Sequence, residues 1–371
     1  MMVPLLLAVA LAMYIIPRIL MVSVKKELNL PPRLSDKSKR TVPRLGGVSL
    51  FPILVISVGA AVVSCLMDSG QSLFEAQNEA SFVQYMFAIA GLTLMYLLGV
   101  MDDLIGVSFL SKISIQLLAS LLIPLSGLWI NDLHGLLGIY ELPAWLGVLG
   151  TMITIWFISN AIPMLDDIDG LASGLAMLAF SVLGILAFIA VQPFLLMICS
   201  AMVGMLIPFF LRNVMGWRIG WRNIYLGDTG GLTIGYMLAF MVVALSRLGG
   251  NSNLPEGIIM VCFGTLLLPM FDVMRVAIMR TVNNRSVFDR DNNHIHHRLM
   301  MGGMSPGHVL ITIILVTAFF VLLNVVGVWL EWNLSLLLIG NVTCWVMLQV
   351  VISYFKNKNR DNFDQQLWMN Y

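Results

Sequence analysis

Acidic residues gather in short turns of a chain that is otherwise mostly apolar. Asp166, Asp167 and Asp169 fall within four positions, in the stretch Asn160-Ala-Ile-Pro-Met-Leu-Asp166-Asp167-Ile-Asp169-Gly170. One apolar run, Leu142 to Ile162, precedes the stretch, and a second, Leu171 to Val191, follows it. A carboxylate at the centre of a bilayer costs about 2.5–3.5 kcal/mol, so acids between two such runs belong at a membrane surface. Asp166 and Asp169 are three apart and share a face if the stretch is helical, while Asp167 points elsewhere. Two carboxylates on one face repel unless a metal or a cationic group sits between them. Taken alone, the stretch reads equally as a solvated turn.

Further clusters repeat the pattern. Asp102-Asp103 lies in Gly99-Val-Met-Asp102-Asp103-Leu-Ile-Gly106, with Lys112 close behind. Asp228 lies in Gly227-Asp228-Thr229-Gly230-Gly231, and Asp272 precedes Arg275 by three. Four of the five histidines fall at 294–308, three of them in His294-Ile-His296-His297-Arg298. Mg²⁺ takes one or two carboxylates and completes its shell with water and phosphate oxygens. A glycine-rich turn lets backbone N–H groups approach an anion, and Arg and His match phosphate oxygens. The set points to metal-assisted phosphoryl chemistry. Each piece has a plainer reading. Asp102-Asp103 could be a polar helix end, Gly-Asp an ordinary turn, and Lys112 a snorkelling cation. Asp272 and Arg275 could simply pair, and the histidine run could bind Zn²⁺. What favours the joint reading is that all of these clusters fall on one predicted side.

That side follows from the elements that must carry the clusters. The chain has 371 residues, 59% hydrophobic and 11% charged, with a mean hydropathy of +0.90. So much apolar surface predicts an all-α polytopic membrane protein; the runs are continuous rather than alternating, which excludes a β-barrel. Eleven spans are predicted, at about 2–22, 46–67, 82–101, 113–130, 142–162, 171–191, 194–212, 230–248, 257–279, 309–330 and 334–355. Residues 1–355 would form one transmembrane catalytic domain and 356–371 a short cytoplasmic tail. Cations cluster at 25–44, 212–222, 280–298 and 356–360, and only Arg247 of the 21 Lys and Arg falls on the other side. The positive-inside rule then places the N-terminus outside, the C-terminus in the cytoplasm, and every acidic cluster on the cytoplasmic face. Cys65, Cys199, Cys262 and Cys344 have no pair spacing and read as small core residues. Nothing indicates a nucleic-acid partner.

With these motifs in order, the chain resembles the polyprenyl-phosphate N-acetylhexosamine-1-phosphate transferase superfamily, nearest its bacterial WecA-type branch. The matching pieces are Val42-Pro-Arg-Leu-Gly46-Gly47-Val, Met101-Asp102-Asp103 with Lys112 and Gln116, and Asn160-Ala-Ile with Met164-Leu-Asp166 and Ile168-Asp169-Gly170-Leu171. They continue with Leu226-Gly227-Asp228 and Gly230, Pro269 and Asp272, and His294-Ile-His296-His297-Arg298-Leu299. The resemblance implies transfer of GlcNAc-1-phosphate from a UDP-sugar to undecaprenyl phosphate, releasing UMP and starting a cell-surface glycan at the bacterial inner membrane. It implies catalytic roles for Asp102, Asp103, Asp166 and Asp169. It implies substrate binding by Lys112, Asn160, His294, His296, His297 and Arg298. It implies Mg²⁺, with Mn²⁺ as the alternative, held by Asp228 with Asp102 and Asp103. A homodimer and a monomer stand as alternatives.

Three positions depart from the family pattern. Pro163 stands where Asn is usual, Asp167 where Gly is usual, and Gly231 where Ser is usual. The Asp-Arg pair before the histidines is either Asp291-Asn292 or Asp289-Arg290. These changes point at the nucleotide-sugar end of the site. Alternatives to the main reading are another UDP-amino sugar, a secondary transporter, and an inactive scaffold.

Overall fold

The computed structural model describes residues 2–26, 29–30, 42–43, 45–69, 79–216, 224–250, 253–284, 286 and 293–369. The helices are α1 (Met2–Lys25), α2 (Leu50–Ser69), α3 (Glu79–Ile105), α4 (Phe109–Leu125), α5 (Ala144–Ala161), α6 (Leu171–Ile189) and α7 (Pro193–Met215). They continue with α8 (Gly227–Ser246), α9 (Ile258–Gly264), α10 (Leu267–Val282), α11 (Ile295–Met301), α12 (Pro306–Trp329) and α13 (Leu334–Met369). Among the described residues nine helical segments are long and apolar enough to cross a membrane, or ten if α9 and α10 form one bent span. Every predicted span has a helical counterpart. Two differ from expectation. Helix α4 has 17 residues, about 26 Å at 1.5 Å per residue, short of ~30 Å of hydrocarbon. The ninth span is broken, α9 and α10 meeting at 68°. Pro269 lies just past the break and lacks the N–H that would bond back across it.

Helix α8 is the axis of the bundle. It is apolar all round, and Asp228 is its one residue that is not buried. Such a helix belongs inside a bundle rather than at its surface. Helices α3, α5, α6 and α9 pack around it, while α1 lies on α7 and α2. Glycines allow backbones to close on its N-terminus. A Cβ on Gly47, in the short 3₁₀ helix Gly46–Ser49, would lie 2.2 Å from the Gly230 nitrogen. One on Gly99 would lie 2.4 Å from the Thr229 Cα. Only a missing side chain permits either approach.

The opposite end carries an antiparallel hairpin, Asp132–Leu136 with Ile139–Glu141, that the sequence did not signal. The Leu137 N–H donates to Ser335 Oγ at 2.8 Å and ties it to α13. Arg247, the lone cation predicted there, donates to the Gly127 carbonyl at 2.7 Å. All four cysteines are free. Helix α13 runs through 355 to Met369 without a break. The basic run at 31–41 and residues 287–292, which hold both candidate Asp-Arg pairs, lie outside the described residues.

Candidate functional site

The acidic turns converge at the end of the bundle where α8 begins. Asp102, in the last turn of α3, receives a 2.6 Å bond from Lys112 Nζ of α4, and the Val107 N–H fixes its other oxygen at 2.9 Å. Lys112 Nζ also lies 3.5 Å from Asp228 Oδ2. One ammonium thus stands between two carboxylates that are 126 positions apart, and the trio carries a net charge of −1. Asp228 remains 37% exposed and sits in the first turn of α8, where the helix dipole favours an anion. Oxygen-only donors, one of them half-open, suit a hard divalent cation.

Asp103, the neighbour of Asp102, faces inward and is buried. Its Oδ1 accepts the Asp228 N–H at 3.1 Å, and its Oδ2 accepts the Thr229 N–H at 3.0 Å and the Thr229 hydroxyl at 2.6 Å. A side chain from another helix therefore caps α8, satisfying donors that a helix start leaves unpaired. The two adjacent acids have different surroundings. Asp102 faces the cation-lined opening, while Asp103 fixes the backbone that carries Asp228.

The stretch between α5 and α6 is a turn, so the face that Asp166 and Asp169 would share on a helix does not form. It is a 3₁₀ turn, Pro163–Leu165, followed by bends ending at Gly170 with φ +84°. Asp166 is buried, and Asp167 and Asp169 face out. In a turn, unlike a helix, positions i and i+3 do not lie one above the other. Asn213 of α7, which no sequence motif flagged, holds this turn. Its amide oxygen accepts the Gly170 N–H, and its nitrogen donates to the Ile224 carbonyl at 2.6 Å and to Asp169 at 3.4 Å. The only sequence signal was an isolated Asn near the end of an apolar run.

Two of the three departures from the family pattern touch each other. A Cβ on Gly231 would lie 2.7 Å from Pro163 Cγ and 2.9 Å from its Cα. The Pro163 ring occupies the volume that a Ser at 231 would need. The third departure, Asp167, meets the histidines. Its Oδ2 lies 3.4 Å from His296 Nε2 and 3.2 Å from His297 Nε2. Burial would raise the Asp167 carboxyl, but the hydrogen bonds and charges of His296 and His297 outweigh it and hold the group well below the usual carboxylate range. Burial lowers His296, and its bond to Asp167 offsets this only in part.

Helix α10 positions the histidine segment. Asp272 is fully buried. It pairs with Arg275 at 2.9 Å, as the spacing predicted, and also takes His294 Nδ1 at 2.8 Å and the Ile295 N–H at 3.0 Å. Arg275 donates in addition to the Asn293 carbonyl.

Two residues with predicted substrate contacts have their polar groups engaged elsewhere. Asn160 exchanges amide bonds with Gln116 at 3.1 Å each way and donates to the Trp156 carbonyl, clamping α5 to α4. Arg298 turns to α13, donating to Gln349 Oε1 and Ser353 Oγ. Arg298 is buried, and a guanidinium inside a bundle takes the nearest protein partner; Asn160 is half-buried and meets the buried Gln116 across the α4–α5 contact.

The chain matches the model of glycosyl transferase family 4 over residues 85–246, which includes the Asp102, Asp166 and Asp228 turns but not the histidine segment. It is 26% identical over 340 residues to the undecaprenyl-phosphate alpha-N-acetylglucosaminyl 1-phosphate transferase of Yersinia pestis, covering 90% of this chain and 84% of that one. A probable undecaprenyl-phosphate N-acetylglucosaminyl 1-phosphate transferase of Bacillus subtilis is 27% identical over 314 residues, covering 84% and 77%. The alpha-N-acetylglucosaminyl 1-phosphate transferase of Escherichia coli K12 is 24% identical over 330 residues, covering 87% and 80%.

Proposed function

We propose that this chain, whose residues 85–246 match the model of glycosyl transferase family 4, transfers an N-acetylhexosamine 1-phosphate, GlcNAc-1-phosphate foremost, from a UDP-sugar to undecaprenyl phosphate. An oxygen of the lipid phosphate attacks the β-phosphorus of the UDP-sugar. The bond from that phosphorus to the bridging oxygen breaks, giving undecaprenyl-diphosphate-sugar and UMP. The observation that carries this reading is the Asp102–Lys112–Asp228 cluster. Separate helices bring two carboxylates and a cation to one opening, as phosphoryl transfer requires.

Lys112 is placed to meet a phosphate oxygen as it loosens from Asp102. Asp103 acts by fixing the start of α8, so that Asp228 keeps its position. Asp102 orients the lipid phosphate. With a second pKa of about 6, by analogy with phosphate monoesters, that group is already largely ionised near neutral pH, and no strong base is needed. Asp102 and Asp228 would hold a hard divalent cation, Mg²⁺ or Mn²⁺, which would supply charge neutralisation at the diphosphate. Asp166 and Asp169 border the nucleotide-sugar side, with His294, His296 and His297 opposite. The lipid tail lies in an apolar groove of about 350 Å³ between α5, α9 and α10, whose lining includes Thr154, Phe263, Met270 and Met274. The lining also takes in Leu133 and Leu136 of the hairpin.

The segregation of cations supports a cytoplasmic site in the inner membrane of a bacterium, with the N-terminus outside. Residues 1–355 then form the catalytic unit. A transporter would hold its acids near the midplane, whereas these clusters gather where α8 begins. The test uses purified protein, UDP-GlcNAc, undecaprenyl phosphate and Mg²⁺. UMP release that stops with EDTA and in Asp228→Asn supports the reading; full activity of that variant removes Asp228 from its role.

A further inference from the structure

We propose that Asp167, His296 and His297 form a three-ligand site for a borderline transition-metal cation, Zn²⁺ foremost, built from residues other than those of the carboxylate cluster at Asp102 and Asp228. The three side chains offer one ligand atom each, and these atoms all lie within 4.8 Å of one another. The Asp167 oxygen is 3.4 Å from one imidazole nitrogen and 3.2 Å from the other. Around Zn²⁺, with bonds of about 2.0–2.1 Å, two ligands at the tetrahedral angle are about 3.4 Å apart. Two of the three separations match tetrahedral edges and the third, between the imidazole nitrogens, is within 4.8 Å, so the ion requires side-chain rotations rather than a new backbone path. Two neutral imidazoles and one carboxylate select Zn²⁺, Co²⁺ or Ni²⁺ over Mg²⁺, which prefers all-oxygen shells.

The histidines are already in place. Asp272 grips His294 and the Ile295 N–H, which fixes the start of α11. The His294 and His296 rings lie parallel, within 1°, with centroids 5.7 Å apart. His296 is fully buried. The Asp167 side chain is 53% exposed, so an ion here keeps a fourth position open to solvent or to an incoming anion. Among the described residues, His296 Nδ1 has no hydrogen-bond partner. A ligating imidazole normally donates that N–H to an outer partner, and lacking one weakens the site by ~10–100-fold. The site is therefore exchangeable rather than structural. Its effect is to pin α11 to the turn that carries Asp166 and Asp169. Were a glycine at 167, the third ligand would be missing, so the site belongs to this chain's own departure from the family pattern.

The test uses the full chain in detergent, stripped with chelator and then titrated with Co²⁺ and Zn²⁺ in excess Mg²⁺ without substrates. The expected result is one Co²⁺ per chain with the intense visible bands of a tetrahedral site, displaced by Zn²⁺, and a Zn²⁺-dependent rise in Tm. Asp167→Gly and His297→Ala each weaken Zn²⁺ binding by at least roughly 100-fold, the upper end of what loss of an outer-shell partner does. Asp167→Glu, which keeps the carboxylate, retains the Co²⁺ spectrum. If Asp167→Gly does not fold, the near-isosteric Asp167→Asn gives the same reading. Absence of the tetrahedral spectrum, or equal Zn²⁺ affinity in wild type, Asp167→Asn and His297→Ala, overturns the site and leaves an ordinary hydrogen-bonded ion pair.

Discussion

Asp102 and Asp103 are adjacent in sequence, yet the structure gives them different work, and substituting each in turn separates the two. Asp103 accepts three hydrogen bonds, from the Asp228 and Thr229 N–H groups and the Thr229 hydroxyl, in a buried setting. Asp103→Ala orphans three donors at the start of α8. A buried donor left unpaired costs about 1–3 kcal/mol, and hydrogen bonds to a charged acceptor are at the upper end. The donors share one acceptor and the losses are not additive, so about 3 kcal/mol is the expected total. For a chain of this size that lowers Tm by roughly 5 °C or more. Thr229→Val removes one of the three bonds and is expected to cost about 1 kcal/mol. Asp102→Ala breaks a partly buried ion pair and frees the Val107 N–H, one donor against the three that Asp103 holds, so it is expected to lower Tm less than Asp103→Ala while abolishing UMP release. The assay pairs thermal unfolding in detergent with UMP release for all three variants. If Asp103→Ala keeps the wild-type Tm while losing activity, Asp103 acts on substrate or metal, and its assignment as the cap of α8 is wrong.

Further outcomes follow from the same geometry. Lys112→Met removes the ammonium between Asp102 and Asp228 and is expected to lower kcat by about 100-fold or more, the effect of losing one preorganised electrostatic partner; an unchanged kcat in steady-state UMP release refutes this. Gly231→Ser drives a Cβ into Pro163 and is expected to cost about 1–3 kcal/mol by overpacking. Pro163→Ala in the same chain should recover part of that loss, and a double-mutant cycle showing additivity would rule the contact out as its cause. Acidification should weaken the fold in two stages. Burial lowers His296, so the unfolded chain binds its proton more readily and stability falls as pH drops from about 6.5 toward the folded-state value. Asp167 is held low by the histidines, so its contribution, full above about 3.9, is lost only as pH falls further. Thermal unfolding between pH 7.5 and 5 should show the first stage, and His296→Gln should flatten it.

Much of the architecture was legible before any coordinates. Hydrocarbon tolerates only long apolar helices, so eleven apolar runs meant eleven helical segments, and the acids could fall only where those runs end. The pairing of Asp272 with Arg275 followed from a spacing of three. The spans on either side placed a break at 163–170, where Pro163 and Gly170 interrupt the helix, but its 3₁₀ geometry, and so which of its acids face out, was not readable. Asn160 and Arg298 matched motif positions, but helix packing brings their polar groups to Gln116, Gln349 and Ser353. Asn213 gave only a weak signal, since an isolated Asn in an apolar run looks the same whether or not it braces a site, and Thr229 lay inside the motif at 227–231 without its contact to Asp103 being readable there.

The one-dimensional pattern of this protein determined which segments are helical and that its acids gather at helix ends, because solvation in lipid depends on local composition. Which acids meet was decided by the folded chain alone. The contacts from Asp103 to Thr229 and from Asp167 to His296 join residues 126 and 129 positions apart. The first depends on how closely glycine-lined backbones approach α8 and the second on where α11 meets the turn after α5, and both are properties of packing in three dimensions.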